Sequence, residues 1–142
     1  MKIVITQEPF DPWQEIAQYE KTIKRGGKIG AISVFVGTMR NINEGDAVTA
    51  MTLEHYPGMT ERQLRRICEQ AEERWPLHEV LVIHRVGTLS PDDPIVLVAV
   101  WSGHRAEAYD ANRYIMEYLK SEAPFWKKET LPDGSRWVER NT

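Results

Sequence analysis

The feature that most constrains the fold is an apolar run that extends from Pro94 to Trp101. Its sequence, PIVLVAVW, puts apolar side chains on both faces of an extended strand. Both faces then need cover, so we expect this segment in the middle of a sheet. The run is also far too short to cross a bilayer, which takes about 20 apolar residues in a helix. The sequence therefore predicts a globular fold built around this strand, with no membrane association.

Alternating and helical apolar patterns predict the elements around this strand. Strands are expected over Lys2–Thr6, Ile29–Met39, Val48–Tyr56, Val80–Val86 and Ser135–Glu139. Helices are expected from Asp11-Pro12 to Gly26-Gly27, from the capping-box spacing at Thr60-Glu61-Arg62-Gln63 to Pro76, and from about Gly103 to Ser121 with Ser102 as a cap. The second and third strands are expected to form a hairpin around the polar loop 41–46.

The order β-α-β-β-α-β-β-α-β mixes strands and helices without strict alternation. This order predicts an α+β protein with a mostly antiparallel sheet. The chain has 142 residues and no linker-like segment, so we expect residues 1–142 to form a single domain.

Two of the expected helices carry an apolar stripe for the core. The stripes consist of Leu64, Ile67, Cys68, Ala71 and Trp75, and of Ala108, Ala111, Ile115, Met116 and Leu119. Cys68 is part of its stripe, so we predict a buried structural thiol and not a nucleophile. It is the only cysteine, so no internal disulfide forms, which fits a reducing compartment, most simply the cytoplasm.

Charge and motif content argue against several functional classes. The net charge of −3 disfavours general nucleic-acid binding, so an anion site must be a local basic cluster. The four histidines show no close metal-ligand spacing and no CxxC motif is present, so no metal site is predicted. P-loop, GxGxxG and GxSxG motifs are absent as well, so no bound cofactor is predicted. The N-terminal segment also lacks the long apolar core of a signal peptide.

Two basic groups follow expected strand ends. His104 and Arg105 occupy the first turn of the last helix, where free backbone N–H groups and the helix dipole favour an anion. Arg40 leaves the second strand just after Gly37, which lets the backbone bend or approach a ligand closely. For both groups the alternative is a set of side chains that simply point to solvent.

Three lysines lie around a proline and two aromatic residues in the segment SEAPFWKKE. Lys120 ends a helix, where a cation complements the helix dipole without any further role. If Phe125 and Trp126 fold their segment back onto the core, Lys127 comes beside Lys120. Two ammonium groups held close in a partly dry pocket lower each other's pKa, and a neutral lysine can act as a base or a nucleophile. The residues alone thus predict a globular domain with an anion pocket.

Seven segments together resemble one family. They are GTMRN (37–41), LEHYPGM (53–59), IHRVG (83–87), SGHR (102–105), YLK (118–120), APFWKKE (123–129) and RWV (136–138). In this order and spacing they resemble the MoaE family, the large, catalytic subunits of molybdopterin synthase. The resemblance covers nearly the whole chain and implies an α/β hammerhead-like fold with an added antiparallel β subdomain.

The resemblance also implies a reaction and its partners. The family converts cyclic pyranopterin monophosphate (precursor Z) into molybdopterin by installing two sulfurs as a dithiolene. Sulfur arrives as a thiocarboxylate on the C-terminal Gly-Gly of a small ubiquitin-like MoaD-type subunit. The assembly is expected to be a heterotetramer around a central dimer of large subunits.

Matching the family motifs assigns expected roles to residues of this chain. Lys120 and Lys127 are the catalytic candidates. The expected substrate-binding residues are Thr38, Met39, Arg40, His104, Arg105, Lys128 and Glu129. Two alternatives remain at this point. One is a non-catalytic module that binds a ubiquitin-like tail or a phosphorylated metabolite, and the other is a binder of single-stranded nucleic acid through Trp126, Phe125 and the lysines.

Overall fold

The computed structural model describes residues 1–138, which form three helices and ten strands. In chain order these elements are β1 (Lys2–Thr6), α1 (Pro12–Glu20), β2 (Ala31–Thr38), β3 (Ile42–Asn43), β4 (Asp46–Ala47), β5 (Ala50–His55), α2 (Met59–Arg74), β6 (Leu77–Arg85), β7 (Gly87–Leu89), β8 (Pro94–Ser102), α3 (Arg105–Glu122), β9 (Phe125–Leu131) and β10 (Gly134–Val138). The predicted α+β class with mostly antiparallel sheets is confirmed.

The larger layer is a four-stranded sheet in the order β1-β6-β8-β2. The β1–β6 pair is parallel and the other two pairs are antiparallel. Strand β8 is the apolar run, and its predicted position in the interior of the sheet is confirmed, with β6 and β2 as its neighbours. Its residues from Val96 to Trp101 are almost completely buried. Helices α2 and α3 cover one face of this sheet, and α1 with the segments next to it covers the other.

The second sheet has the order β10-β9-β5-β7 and is antiparallel throughout. Its own small core contains Met39, Val48, Met51, Leu53 and Leu89. Ile95 and Phe125 contact this core and also pack against the core beneath α2 and α3. The two cores are therefore continuous where the sheets adjoin, and residues of both sheets lie next to each other there.

The expected hairpin between the second and third strands is wrong. Strand β2 pairs with β8 in one sheet, whereas β5 pairs with β7 and β9 in the other. The connecting residues instead form a small hairpin of their own, β3–β4. Local alternation identified both strands but carried no information about partners that lie roughly 35 to 80 residues away in sequence.

The helix boundaries also differ from the predicted ones. Asp11 caps α1 as expected, accepting a hydrogen bond from the backbone of Trp13, but the helix ends at Glu20 and not at Gly26-Gly27. Both of those glycines have positive φ in the following turn. Helix α2 begins at Met59 with Gly58 as its cap, so Thr60 lies inside the helix.

The predicted apolar stripe of α3 is confirmed, since all five of its residues are buried. In α2 the stripe is confirmed for Leu64, Ile67, Cys68 and Ala71, whereas Trp75 lies just past the helix end and is only partly buried. Ser102 does not cap α3, because it belongs to β8 and His104 occupies the cap position. Within the described residues, no helix is long and apolar enough to span a membrane.

Glu139, the last residue of the expected final strand, lies outside the described residues; β10 itself covers most of that prediction.

Candidate active site

A cavity of about 270 Å³ opens where the two sheets meet the C-terminal end of α3. Its polar lining residues are Thr38, Arg40, Asn43, His84, Lys120, Lys127 and Glu129. A smaller chamber of about 40 Å³ shares His84 and both lysines with it. The site therefore collects side chains from β2, the loop after it, β6, α3 and β9.

Local structure explains how the two lysines reach this cavity. The buried stripe of α3 ends at Leu119, so the next residue, Lys120, emerges at the end of the helix beside the cavity. Strand alternation puts Phe125, Lys127 and Glu129 on one face of β9. Pairing of β9 with β5 sets Lys127 opposite Leu53, over the second core. The segment after Pro124 thus folds back and brings both lysines to one cavity.

The electrostatics favour loss of a proton from each lysine. Loss of hydration lowers the pKa of Lys120, and the positive charge of Lys127 lowers it further against the opposing effect of Glu117. Loss of hydration likewise lowers the pKa of Lys127, with Glu129 opposing and Arg40 adding to the shift. Lys120 is still exposed through the cavity mouth, so water screens part of this effect.

Arg40 and its neighbours enter the cavity from the end of β2. The register of β2 against β8 shifts between Gly37 and Thr38. A Cβ at Gly37 would lie 2.9 Å from Val96, so only glycine allows this close packing. The backbone of Met39 is then fixed by hydrogen bonds with Asp92 and Asp93 (2.8 and 2.9 Å). Thr38, Met39 and Arg40 therefore leave the sheet in a defined direction at the cavity edge.

Glu129 lies in the cavity wall, but its carboxylate is already occupied. It is only 4% exposed, and both of its oxygens accept hydrogen bonds from Asn43 at 3.0 Å. Arg136 Nε donates a further bond to it at 3.1 Å. Arg136 also bonds Asp46 and the carbonyl oxygen of Asn43. Glu129 therefore anchors the β3–β4 hairpin to β9 and β10 at the cavity.

Three of the predicted binding residues do not reach this cavity within the chain. Lys128 lies on the opposite face of β9, where its Nζ sits 5.6 Å from the centre of the Trp137 ring. His104 and Arg105 are exposed at the first turn of α3. At about 1.5 Å per residue, Arg105 lies roughly 22 Å along the helix from Lys120. Within one chain, these three residues therefore lie apart from the cavity that holds Lys120 and Lys127.

His84 and Asn43 line the cavity, although no role at this site was predicted for either residue. Strand alternation places His84 on the same face as the buried Val80 and Val82. A histidine in an apolar row, at the end of a strand, was the available signal. No group of three or more His, Cys, Asp or Glu side chains within residues 1–138 has a geometry that holds a metal ion.

The fold and the cavity define a class of protein: a small α+β protein that brings two lysines with lowered pKa into one cavity. Its one cysteine is not available as a nucleophile, because Cys68 is fully buried and burial raises the pKa of its thiol to about 12. The family model described as MoaE protein matches residues 5–122. The chain belongs to the MoaE family.

Comparison with individual proteins agrees with this family. The chain is 55% identical over 139 residues to a molybdopterin synthase catalytic subunit of Ralstonia nicotianae, covering 96% of this chain and 76% of that protein. The solved MoaE protein of Burkholderia ambifaria is 49% identical, with a TM-score of 0.81 over 99% of this chain and 91% of that one. The solved molybdopterin synthase of Staphylococcus aureus is 36% identical, with a TM-score of 0.84 over 98% and 96%.

Proposed function

We propose that this chain is the catalytic subunit of a molybdopterin synthase, a sulfurtransferase that forms the dithiolene of molybdopterin from precursor Z. The observation that carries the proposal is the convergence of Lys120 and Lys127, from two separate elements, on one cavity of a MoaE-family chain. Both lysines have a lowered pKa, which suits them to proton transfer or covalent chemistry. The names of the relatives support the same activity.

The sulfur donor in this proposal is a thiocarboxylate at the C-terminus of a small ubiquitin-like MoaD-type subunit. In each transfer a side-chain carbon of the pterin exchanges a bond to oxygen for a bond to sulfur, and the displaced oxygen leaves protonated. The bond between the carbonyl carbon of the tail and its sulfur breaks. One water supplies the new carboxylate oxygen of the tail, and its two protons go to the pterin thiol and to the displaced oxygen. Lys120 meets the thiocarboxylate carbonyl, through a transient covalent adduct or by stabilising its developing negative charge. A well-placed donor of this kind commonly lowers a barrier by about 3–4 kcal/mol.

The other cavity residues bind and orient the pterin. Lys127 assists proton transfer or positions the ring, and Arg40 binds the phosphate, with Thr38 and Met39 beside it. Glu129 supports these residues by holding the β3–β4 hairpin, since its carboxylate is already hydrogen-bonded. Lys128, which lies on the opposite face of β9, is left outside this set.

The proposed assembly is a heterotetramer around a central pair of these chains. His104 and Arg105 remain proposed phosphate ligands, acting on the cavity of the second copy because they cannot reach their own. Residues 1–142 act as one domain in the cytoplasm. The single cysteine fits that compartment.

The main alternative is a non-catalytic module that binds a ubiquitin-like tail or a phosphorylated metabolite in the same cavity. It accounts for Arg40, but gives no reason for two lysines with lowered pKa at one place. Binding of single-stranded nucleic acid is less favoured, because Phe125 already stacks on His84 with ring centres 3.9 Å apart. That aromatic face is not free for a base.

A direct test is sulfur transfer by Lys120→Ala with precursor Z and a thiocarboxylated small subunit. We expect the turnover rate to fall by about 10²–10³, the usual effect of losing one such donor. The matched control is Lys24→Ala, which removes an exposed lysine outside the cavity. Dithiolene formation by Lys120→Ala at close to the rate of the control would contradict the assigned role. Tight binding of both substrates by the unmodified protein, with no product, would favour the binding module.

A further inference from the structure

His84 is a buried histidine with a precise environment and no assigned role. It is 5% exposed and ends the row Val80, Val82, His84, which faces the core beneath α2 and α3. Its ring stacks on Phe125, with an angle of 14° between the ring planes. Phe125 is the first residue of β9, two positions before Lys127. His84 therefore contacts the start of the strand that brings Lys127 to the cavity.

The protonation state of His84 defines which nitrogen can accept a hydrogen bond. Burial lowers the pKa of His84 to about 4, so the ring is neutral at neutral pH. Its Nδ1 lies 2.8 Å from the carbonyl oxygen of Arg85. A carbonyl oxygen only accepts, so Nδ1 carries the proton and donates. Nε2 is then left with a lone pair, which makes it a hydrogen-bond acceptor.

The chamber around His84 offers few other partners to a lysine. Its lining residues are Met51, Leu53, His84, Ile95, Leu119, Lys120, Phe125 and Lys127. The two lysines are donors, and the remaining lining side chains apart from His84 are apolar, with only the weak thioether acceptor of Met51 among them. His84 is thus the strong side-chain acceptor of this chamber. The positive charge of Lys120 also contributes to the lowered pKa of His84, which places that ammonium group near the ring.

We propose that His84 is a positioning residue: its Nε2 offers Lys120 Nζ a hydrogen-bond acceptor in the chamber that both side chains line, while its ring fixes Phe125 and hence the start of β9. One side chain thereby sets the positions of both lysines. His84 and Lys120 line one chamber of this chain, and the importance of their interaction for turnover rests on the function proposed above. Four charged or titratable groups surround His84: Lys120 from α3, Lys127 from β9, His55 from β5, and Arg85 on its own strand.

The test compares His84→Phe, which retains a ring for the stack but has no acceptor, with His84→Gln, which retains an acceptor. Lys120 is labelled by reductive methylation across a pH series, and the extent is read from its peptide by mass spectrometry. In His84→Phe the ammonium loses its acceptor, so we expect the midpoint of labelling to move to lower pH. His84→Gln should stay near the unmodified protein. His78→Phe, an exposed position on the same strand, is the control and should not shift.

Sulfur transfer is measured on the same variants. We expect kcat of His84→Phe to fall by roughly ten- to hundredfold, the range for one hydrogen bond to a charged group, with KM nearly unchanged. His84→Gln should recover most of the loss. An unchanged labelling midpoint in His84→Phe, or equal defects in both variants, would overturn the proposal. Failure of the unmodified protein to transfer sulfur would instead overturn the proposed function, and the labelling result would still stand.

A further measurement does not require His84 to be replaced. The ¹⁵N resonance of His84 Nε2 is recorded in the unmodified protein and in Lys120→Ala. In the unmodified protein we expect the chemical shift of an unprotonated nitrogen. In Lys120→Ala we expect this chemical shift to change. A protonated Nε2, or a shift that is the same in both proteins, would contradict the hydrogen bond even if His84→Phe fails to fold.

Discussion

At the residue scale, the charged neighbours of Lys120 and Lys127 determine how far the pKa of each lysine is lowered. Lys120 faces the positive charge of Lys127, and Glu117, the acid that opposes this effect, lies on its own helix. Lys127 is opposed by Glu129, whose carboxylate is already engaged by Arg136 and Asn43. That engagement limits the compensation that Glu129 gives to Lys127. Both lysines therefore lose protons more readily than exposed ones.

Burial of a neutral His84 predicts a specific loss of stability in acid. Its folded pKa of about 4 lies below the ordinary value of 6.5, so between these two pH values the unfolded chain binds a proton that the folded protein does not. The free energy of unfolding therefore falls as the pH drops through this window. The contribution of His84 is at most about 3 kcal/mol.

The measurement is denaturant unfolding of the unmodified protein and of His84→Phe, near neutral pH and at about pH 4. The stability of the unmodified protein relative to the variant should decrease in acid, because the variant has no histidine to protonate at this position. His78→Phe, which changes an exposed histidine, should leave the pH dependence unaltered. Parallel stability curves for the unmodified protein and His84→Phe would contradict the assignment.

Single residues also show what the sequence could and could not reveal. The positions of Lys120 and Lys127 followed from a helix end, a proline and two aromatic residues, all of which are local signals. The buried state of Cys68 followed from the helical period. In contrast, the partners of Glu129 come from positions 43 and 136, and no local pattern connects these positions. Side-chain pairing across strands distant in sequence had to come from the structure.

At the scale of elements, Arg136 and Glu129 together hold the β3–β4 hairpin in position. Arg136 on β10 bonds Glu129 at 3.1 Å, Asp46 at 2.8 Å and the carbonyl oxygen of Asn43 at 3.1 Å. A hairpin with two-residue strands is not stable alone. These contacts therefore hold Ile42 and Asn43 in the cavity wall, next to Arg40.

Arg136→Ala should release this hairpin without unfolding the protein. We expect amide hydrogen exchange over residues 40–48 to become at least about tenfold faster, because local opening loses several hydrogen bonds. Exchange in α2 and β8 should be unchanged. Arg136→Lys should give an intermediate rate, since lysine keeps the charge but cannot make the forked contacts. Arg113→Ala on the exposed side of α3 is the control, and equal protection in all three variants would refute the anchoring role.

The segment that contains the β3–β4 hairpin also explains why the sequence did not predict the pairing partner of β2. Residues 29–39 and 48–56 both have strand patterns, and a short polar loop between them favours a local hairpin. The central strand β8, however, needs a neighbour on each side, and β2 fills one of these places. The loop then crosses to the other sheet, where β5 pairs with β9. Burial of β8 was foreseeable, but the choice between two possible partners for β2 was not.

At the scale of the whole molecule, β2 is an edge strand with apolar side chains in solvent. Ile32 and Phe35 are 39% and 42% exposed. One end of β2 lies beside the start of α3, since Ala31 pairs with Ser102, and the other end, at Thr38, reaches the cavity. The strand spans roughly 23 Å between these ends, close to the separation of Arg105 and Lys120 along α3. Two copies packed antiparallel along this edge would bring His104 and Arg105 of each to the cavity of the other.

This arrangement predicts that two inactive chains restore activity when they are mixed. Lys120→Ala removes the catalytic lysine from the variant's own cavity. Arg105→Ala removes the arginine that the variant contributes to the cavity of its partner. A mixed dimer therefore has one cavity with both defects and one with neither. Random co-assembly of equal amounts makes about half of the dimers mixed, so about a quarter of the normal activity should return.

The experiment uses co-expressed chains with different affinity tags, purified through both tags so that only mixed dimers are assayed. Such dimers should show about half the sulfur transfer of the unmodified protein, while each variant alone stays low. The double variant Lys120→Ala with Arg105→Ala, paired with an unmodified chain, is the control. Its dimer leaves each cavity with one defect and should be nearly inactive. Equal activity in the two kinds of mixed dimer would mean that Arg105 acts on no neighbouring cavity.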